Sequence, residues 1–138
     1  MVEYRVEFEN SKLVISDTKG KYKVDLKSRL LEFAADTIRF LATLPYKKEF
    51  GIFRYQLSKS ATSIGANYEE SQAATRKEFH AKISICLREA RETHFWYKLI
   101  EKLELGDTAK RRILLQESNE IKLILGAIES KSRLKRKD

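Results

Sequence analysis

Apolar positions recur every second residue at the start of the chain and every third or fourth residue after it. Val2, Tyr4, Val6 and Phe8 alternate with Glu3, Arg5 and Glu7, the two-residue period of a half-buried strand. Glu-Asn-Ser at 9–11 signals a turn, Lys12 to Ser16 reads as a returning strand, and Asp17-Thr18-Lys19-Gly20 as a second turn. A two-stranded hairpin is marginal alone, so residues 1–24 are an extension that docks on the main domain, pairs with another chain, or frays.

From Asp25 to Leu44 the period is helical. Leu26, Leu30, Phe33, Thr37, Leu41 and Leu44 make one stripe, with Leu31, Ala34, Ile38 and Ala42 widening it. Asp25 is placed to cap the N-terminus and Pro45 ends the helix. A second helix is expected from about Glu49 to Ser71, with Phe53, Leu57, Ala61, Ile64 and Tyr68 as its core stripe. Ser60, Ser63, Gly65 and Ala66 leave much of its remaining surface small, which lets a neighbouring helix approach closely. Thr75-Arg76-Lys77-Glu78 has the form of a capping box, so a third helix starts at Arg76. Its stripe is Phe79, Ile83, Cys86, Leu87, Ala90, His94 and Tyr97, and Leu105-Gly106 closes it with a C′ glycine. Asp107 then caps a fourth helix carrying Ile113, Leu114, Ile121, Leu125 and Ile128. Short connections make successive helices antiparallel neighbours. The expected fold is an all-α, up-down-up-down four-helix bundle over residues 25–130, with the hairpin-like extension before it and a fraying basic tail at 131–138.

Composition agrees with one domain. A chain of 138 residues, 42% hydrophobic and 35% charged, can build a core without disulfides or metals. The single proline and five glycines oppose a turn-rich all-β fold. One unpartnered cysteine, Cys86, suits a reducing compartment, and neither a signal-like N-terminus nor a membrane-length apolar run is present. A cytoplasmic protein is expected. The net charge of +8 is uneven: residues 1–24 contribute +1, residues 25–105 +3 and residues 106–138 +4. Such an excess attracts nucleic acid, or confers solubility.

A set of residues in the second and third helices carries a resemblance. Gly51, Gln56, Ser63-Ile64, Ala66-Asn67 and Glu69 or Glu70 are followed by Glu78-Phe79, Leu87, Glu89-Ala90, Glu92, Phe95-Trp96 and Leu99-Ile100. In these the chain resembles the small bacterial four-helix-bundle family related to proteins encoded in intervening sequences of large-subunit (23S) ribosomal RNA genes. The chain has Gly65 where that family typically has proline, and Ser58-Lys59 where it tends to have paired basic residues. The resemblance implies a bundle that assembles into a ring-like homo-oligomer, commonly a pentamer, with no established catalysis. More distantly similar proteins are accessory factors of reverse transcriptases in diversity-generating retroelements. That likeness implies RNA or DNA, and a polymerase or other protein, as partners.

Two surfaces are candidate sites. Phe95, Trp96, Tyr97, Leu99, Ile100 and Leu103 subtend more than one face of the third helix, since consecutive residues are about 100° apart. They are the candidate oligomer interface, against the alternative of a wide core beneath the N-terminal extension. The basic tail (Lys131, Arg133, Lys135, Arg136 and Lys137) and the cluster Lys110, Arg111 and Arg112 are candidate phosphate contacts, against the alternative of a solvated charge run. Cations at the start of the fourth helix oppose its dipole, which hints at another use.

Enzyme chemistry finds little footing. Glu78 and Glu92 stand two residues before His80 and His94, and a di-metal bundle site needs a spacing of three. No Cys/His spacing suits zinc, so neither metal nor cofactor is expected. Arg88 and His94 resemble the Arg-to-His spacing of helical toxin ribonucleases, but six residues along a helix set them about 240° apart. Three function classes stand in order: nucleic-acid-associated accessory, pure interaction scaffold, and ribonuclease.

Overall fold

The computed structural model describes residues 3–9, 12–17 and 23–137, with backbone alone at 17 and 134–137. Residues 10–11 and 18–20 of the two expected turns, and Val2, lie outside the described residues, while Glu9 and Asp17 are the last residues of strands. Strands β1 (Tyr4–Glu9) and β2 (Lys12–Asp17) pair antiparallel in the register Tyr4↔Asp17 to Glu9↔Lys12. Four helices follow: α1 (Leu26–Ala42), α2 (Gly51–Gln72, preceded by a 3₁₀ turn at Lys48–Phe50), α3 (Arg76–Lys102) and α4 (Thr108–Lys137). They form the expected four-helix bundle. α3 packs along both α2 and α4, whereas α1 and α4 meet over a shorter stretch.

The helix starts follow the local chemistry of the sequence. Asp25 caps α1: its carboxylate accepts from the Ser28 amide at 3.2 Å and from the Ser28 hydroxyl at 2.8 Å. Both halves of the Thr75–Glu78 capping box form, at 3.4 and 2.9 Å. Asp107 caps α4 by accepting from the Lys110 amide at 2.9 Å.

The end of α3 differs from the expected C′ glycine. Leu103 is the C-cap, and Glu104, with φ 54°, takes the left-handed C′ position. The Leu105 amide donates to Ile100 O at 3.2 Å and the Glu104 amide to Glu101 O at 3.0 Å, the paired bonds of a Schellman ending. Gly106 is required two residues later for a different reason. Its φ is +74°, and a Cβ there would lie 2.9 Å from the Phe40 ring. The glycine lets the turn press flat against α1.

The core lies where the stripes meet. Leu26, Leu30, Phe33, Thr37 and Leu41 are buried on α1, together with Phe40, which the stripe omitted, and Leu44 is buried just beyond its end. Leu31 and Ile38, 66% and 45% exposed, do not widen the stripe; they lie on the outer side of α1. On α4 the expected Leu114, Ile121, Leu125 and Ile128 are buried, joined by Ser118 and Ile124, and only Ile113, 66% exposed, falls off the stripe. Tyr97 sits in the middle. Its ring packs on Phe33 and Phe40 of α1, and its hydroxyl lies 2.7 Å from Thr37 Oγ1.

Close approach at the small residues of α2 is real but selective. Ser60 Oγ is 2.8 Å from Thr93 Oγ1 of α3, both buried. Gly65 faces Leu30 of α1, where an added Cβ would meet Leu30 Cβ at 3.6 Å, an ordinary contact. The hairpin docks on the bundle of its own chain. Val6 and Ile15 are buried, Phe8 meets Phe79 edge-on with centroids 5.9 Å apart, and the Tyr4 hydroxyl donates to Glu120 at 3.0 Å.

The two helix-contacting glycines should therefore respond oppositely to alanine. Gly106→Ala should destabilise by about 1–3 kcal/mol, because strain and overpacking add. Gly65→Ala should be neutral or stabilising by up to about 1 kcal/mol, the difference in helix propensity. Urea unfolding midpoints of the two variants check the pair, and a stable Gly106→Ala would refute the packing account.

Candidate assembly and nucleic-acid surfaces

The aromatic end of α3 divides into three environments. Tyr97 and Ile100 are fully buried within one chain, which corrects their assignment to an interface with a neighbour. The physical reason is phase: they continue the stripe of Ile83, Cys86, Ala90 and Thr93. Trp96 and Leu99 are half-buried and pack against the core. The Trp96 ring meets Phe53 of α2 at 6.0 Å and Phe95 at 5.2 Å, and its indole N–H is covered without an acceptor among the described residues. Only Phe95 and Leu103, 52% and 49% exposed, present substantial apolar surface. Comparable surface occurs on every helix, with Leu31 and Ile38 on α1, Ile52 and Tyr55 on α2, and Ile113 and Leu123 on α4.

The basic candidates also separate. Arg111 is 3% exposed, so it is not available to a phosphate, and the expectation that it contacts one is corrected. Its guanidinium donates to Glu101 Oε1 at 3.2 and 3.1 Å and to the carbonyls of Leu105 and Gly106, both at 3.1 Å. A cation near the start of α4 is thereby explained: it ties down the carbonyls left by the turn after α3. Arg112 reaches the same carboxylate, 3.5 Å from Glu101 Oε2, and Lys110 is exposed beside a groove that Asp36 also lines. The three adjacent cations thus face different environments. α4 continues through the expected fraying tail to Lys137, with Lys131 and Arg133 exposed on it. The side chains of Lys135, Arg136 and Lys137 lie outside the described residues.

A basic set that sequence reasoning missed lies between α3 and α4. Arg91, His94 and Lys98 from α3 and Lys122 from α4 line one shallow groove, whose lining includes no carboxylate. On the sequence these cations are scattered singly, and only the antiparallel pairing of the two helices gathers them. Lys122 Nζ lies 3.3 Å from His94 Nδ1. Burial first, and then the charges of Lys122 and Lys98, hold the His94 pKa down at about 4. Arg88 is exposed and does not line this groove, so the spacing that resembled a toxin ribonuclease does not bring an arginine and His94 into a shared site.

A different network fastens the hairpin. Arg29 Nε and Nη2 grip both oxygens of Glu117 at 2.8 and 2.6 Å, Nη2 also reaches Glu120 at 3.4 Å, and Nη1 donates to the Tyr4 hydroxyl at 3.3 Å. The bond to Glu117 raises the Arg29 pKa further, keeping it charged. Burial pushes the Cys86 thiol up to about 12, so it is not a poised nucleophile. Among the described residues no group of three metal-ligating side chains clusters, and no helix is long and apolar enough to cross a membrane.

These placements separate two kinds of substitution at the end of α3. Tyr97→Phe should cost about 1–3 kcal/mol, by leaving buried Thr37 Oγ1 without its partner, and should leave the association state unchanged. Phe95→Asp should leave unfolding nearly unchanged and weaken any self-association. Thermal unfolding and sedimentation velocity on both variants check the assignment. For His94, the depressed pKa means that the unfolded chain takes up the proton first. Its contribution to stability should be present above pH 6.5 and decline as pH falls toward about 4, a decline absent in His94→Gln.

Comparison with known proteins places this architecture. The family model described as "23S rRNA-intervening sequence protein" matches residues 23–127, so the hairpin lies outside the matched region. A crystal structure of a protein of unknown function from the S23 ribosomal protein family, from Bacteroides thetaiotaomicron VPI-5482, is similar at 31% identity and a TM-score of 0.68. The match covers 75% of this chain and 97% of that one. The search of curated proteins returned no match. With three quarters of its residues matched and the four helices in place, the chain belongs to the 23S rRNA-intervening sequence protein family.

Proposed function

We propose that the protein is a non-enzymatic, cytoplasmic homo-oligomer, a pentameric ring, that serves as a nucleic-acid-associated accessory or scaffold. The observation that carries self-association is the distribution of exposed apolar side chains. Leu31, Ile38, Ile52, Phe95, Leu103 and Ile113 are each at least 45% exposed on a bundle whose own core is closed. Because they occur on all four helices, they fit a contact between two different faces. Such head-to-tail contacts generate closed rings when the rotation closes.

Nucleic-acid association is supported by the net charge of +8 and by Arg91, Lys98 and Lys122, which line one groove without a carboxylate. In a ring each copy adds a weak phosphate contact at high effective concentration, which raises the overall affinity. A polymerase or another protein is the further partner that the family resemblance suggests. The second reading, a pure protein scaffold, draws on the same apolar surfaces without the charge.

Two measurements test the proposal. Light scattering of the wild type should give a mass several times that of one chain, shifting toward monomer in Phe95→Asp/Leu103→Asp. Gel shifts with RNA and DNA should show binding at low salt that falls steeply as salt rises. A monomer in the first measurement removes the ring, and the absence of any shift in the second leaves the pure scaffold. Cleavage of RNA lost on His94→Ala would instead revive the ribonuclease.

A further inference from the structure

The groove between α3 and α4 differs from the other basic surfaces in its surroundings. Several cations elsewhere are matched by acids, while others, such as Lys59 and Lys102, stand singly without an ion pair among the described residues. Arg29 is gripped by Glu117, Arg39 lies near Glu32 and Asp36, Lys82 bonds Glu70 and Arg111 bonds Glu101. The groove beside Arg112 contains Glu32, Asp36, Glu117 and Glu120. A pocket beneath the hairpin also lacks acids, but Lys12 and Arg76 there stand around an apolar lining of Phe8, Leu13 and Phe79. Between α3 and α4, by contrast, Arg91, Lys98 and Lys122 converge with no carboxylate among the lining residues. None of the three has a salt bridge among the described residues. Like charges gathered this way raise the folded state's electrostatic energy, and a bound anion relieves it.

The shape agrees with the charge. Gly126 lies in the floor, and a Cβ built there would meet nothing within 4 Å, so the groove is open at mid-length. Ser130 adds a hydroxyl to the same wall. Arg133, three turns beyond Lys122 on α4, returns to the same face about 16 Å along the helix. His94 contributes a donor without a charge. Its Nδ1 accepts from Lys122, which leaves its ring proton on Nε2.

The geometry points to this groove as the seat of a nucleic acid's sugar–phosphate backbone, with Arg91, Lys98, Lys122 and Arg133 meeting successive phosphates. The inference rests on the nucleic-acid reading above and locates the contact on the body of the bundle, away from the far end of its tail. No Phe, Tyr or Trp side chain lines the groove, so it offers no broad stacking platform for bases and recognition follows chiefly the backbone.

Fluorescence anisotropy with labelled RNA and DNA of one sequence, single- and double-stranded, tests it. Three variants are compared with the wild type: Arg91→Gln/Lys98→Gln/Lys122→Gln, Gly126→Glu, and the tail control Lys135→Gln/Arg136→Gln/Lys137→Gln. The groove triple should lose at least tenfold in affinity at low salt. Its plot of log affinity against log salt should be shallower by about 2–3, one unit or slightly less per lost phosphate contact. Gly126→Glu places a carboxylate in open space and replaces a helix glycine, so it should fold and also lose affinity. Saturation with polynucleotide should raise the His94 pKa, read from its imidazole NMR signals, because phosphate offsets the charges of Lys122 and Lys98 that, after burial, hold it down. If the groove triple binds like the wild type while the tail control does not, the groove assignment falls and the nucleic-acid reading survives. Should the wild type bind no nucleic acid, or only phosphatidylserine vesicles, both fall together.

Discussion

The bond between Tyr97 and Thr37 crosses the bundle from α3 to α1, two helices that are not neighbours around its perimeter. Tyr97 is the largest of the fully buried side chains, and its ring packs against Phe33 and Phe40 on either side of that bond. A hydroxyl at this depth is tolerated only with a partner, so the 2.7 Å contact fixes the rotation of both helices at once. Burial holds the Tyr97 phenol pKa well above its usual value, and the hydroxyl stays neutral. Once α1 and α3 are pinned, α2 and α4 can only fill the two remaining sides. α2 does so through the Ser60–Thr93 contact, and α4 through the turn that Gly106 presses onto Phe40.

That constraint accounts for much of the surface. With Phe33, Thr37 and Phe40 turned inward, Leu31 and Ile38 must point out of the bundle, and their exposure is a consequence of helix phase. The same applies to Phe95 and Leu103 once Tyr97 and Ile100 have taken the inner positions. Apolar groups that a monomer would leave wet are therefore distributed by the needs of the core. The hairpin follows a different logic. It is held by Tyr4, Phe8 and the Arg29–Glu117–Glu120 network, all within the chain, so its docking needs no second copy.

The helices and their starts were legible in the sequence because each is governed by contacts a few residues apart: Asp25 with Ser28, Thr75 with Glu78, Asp107 with Lys110. The widths of the apolar stripes were not. Leu31, Ile38 and Ile113 look like Leu30, Thr37 and Leu114 to a periodicity argument, and only the diagonal contact decides which of the two phases turns inward. Charge was misread for a related reason. Lys110, Arg111 and Arg112 form the densest internal run of cations, yet Arg111 is consumed by Glu101 and two turn carbonyls. Arg91, Lys98 and Lys122 are scattered and form a cluster only through tertiary pairing. Contiguity in sequence is a poor guide to contiguity of potential on a helical surface, because adjacent residues diverge by about 100°.

The titratable groups inside the bundle point the same way. Burial raises both the Cys86 thiol and the Tyr68 phenol to about 12, which leaves them neutral and unreactive near pH 7. The Glu129–His80–Ser132 row, with His80 Nδ1 2.9 Å from Ser132 Oγ and Nε2 4.0 Å from Glu129, is mostly enclosed. There the Ser132 hydroxyl is also bonded to the Glu129 carbonyl at 3.0 Å, one turn back on its own helix. A nucleophile needs a free approach and a base that takes its proton. Ser132 is instead satisfied at both ends, as a structural hydroxyl is. The buried hydroxyls and the thiol are thus occupied in holding four helices in register, while exposed apolar and cationic side chains lie on the outside.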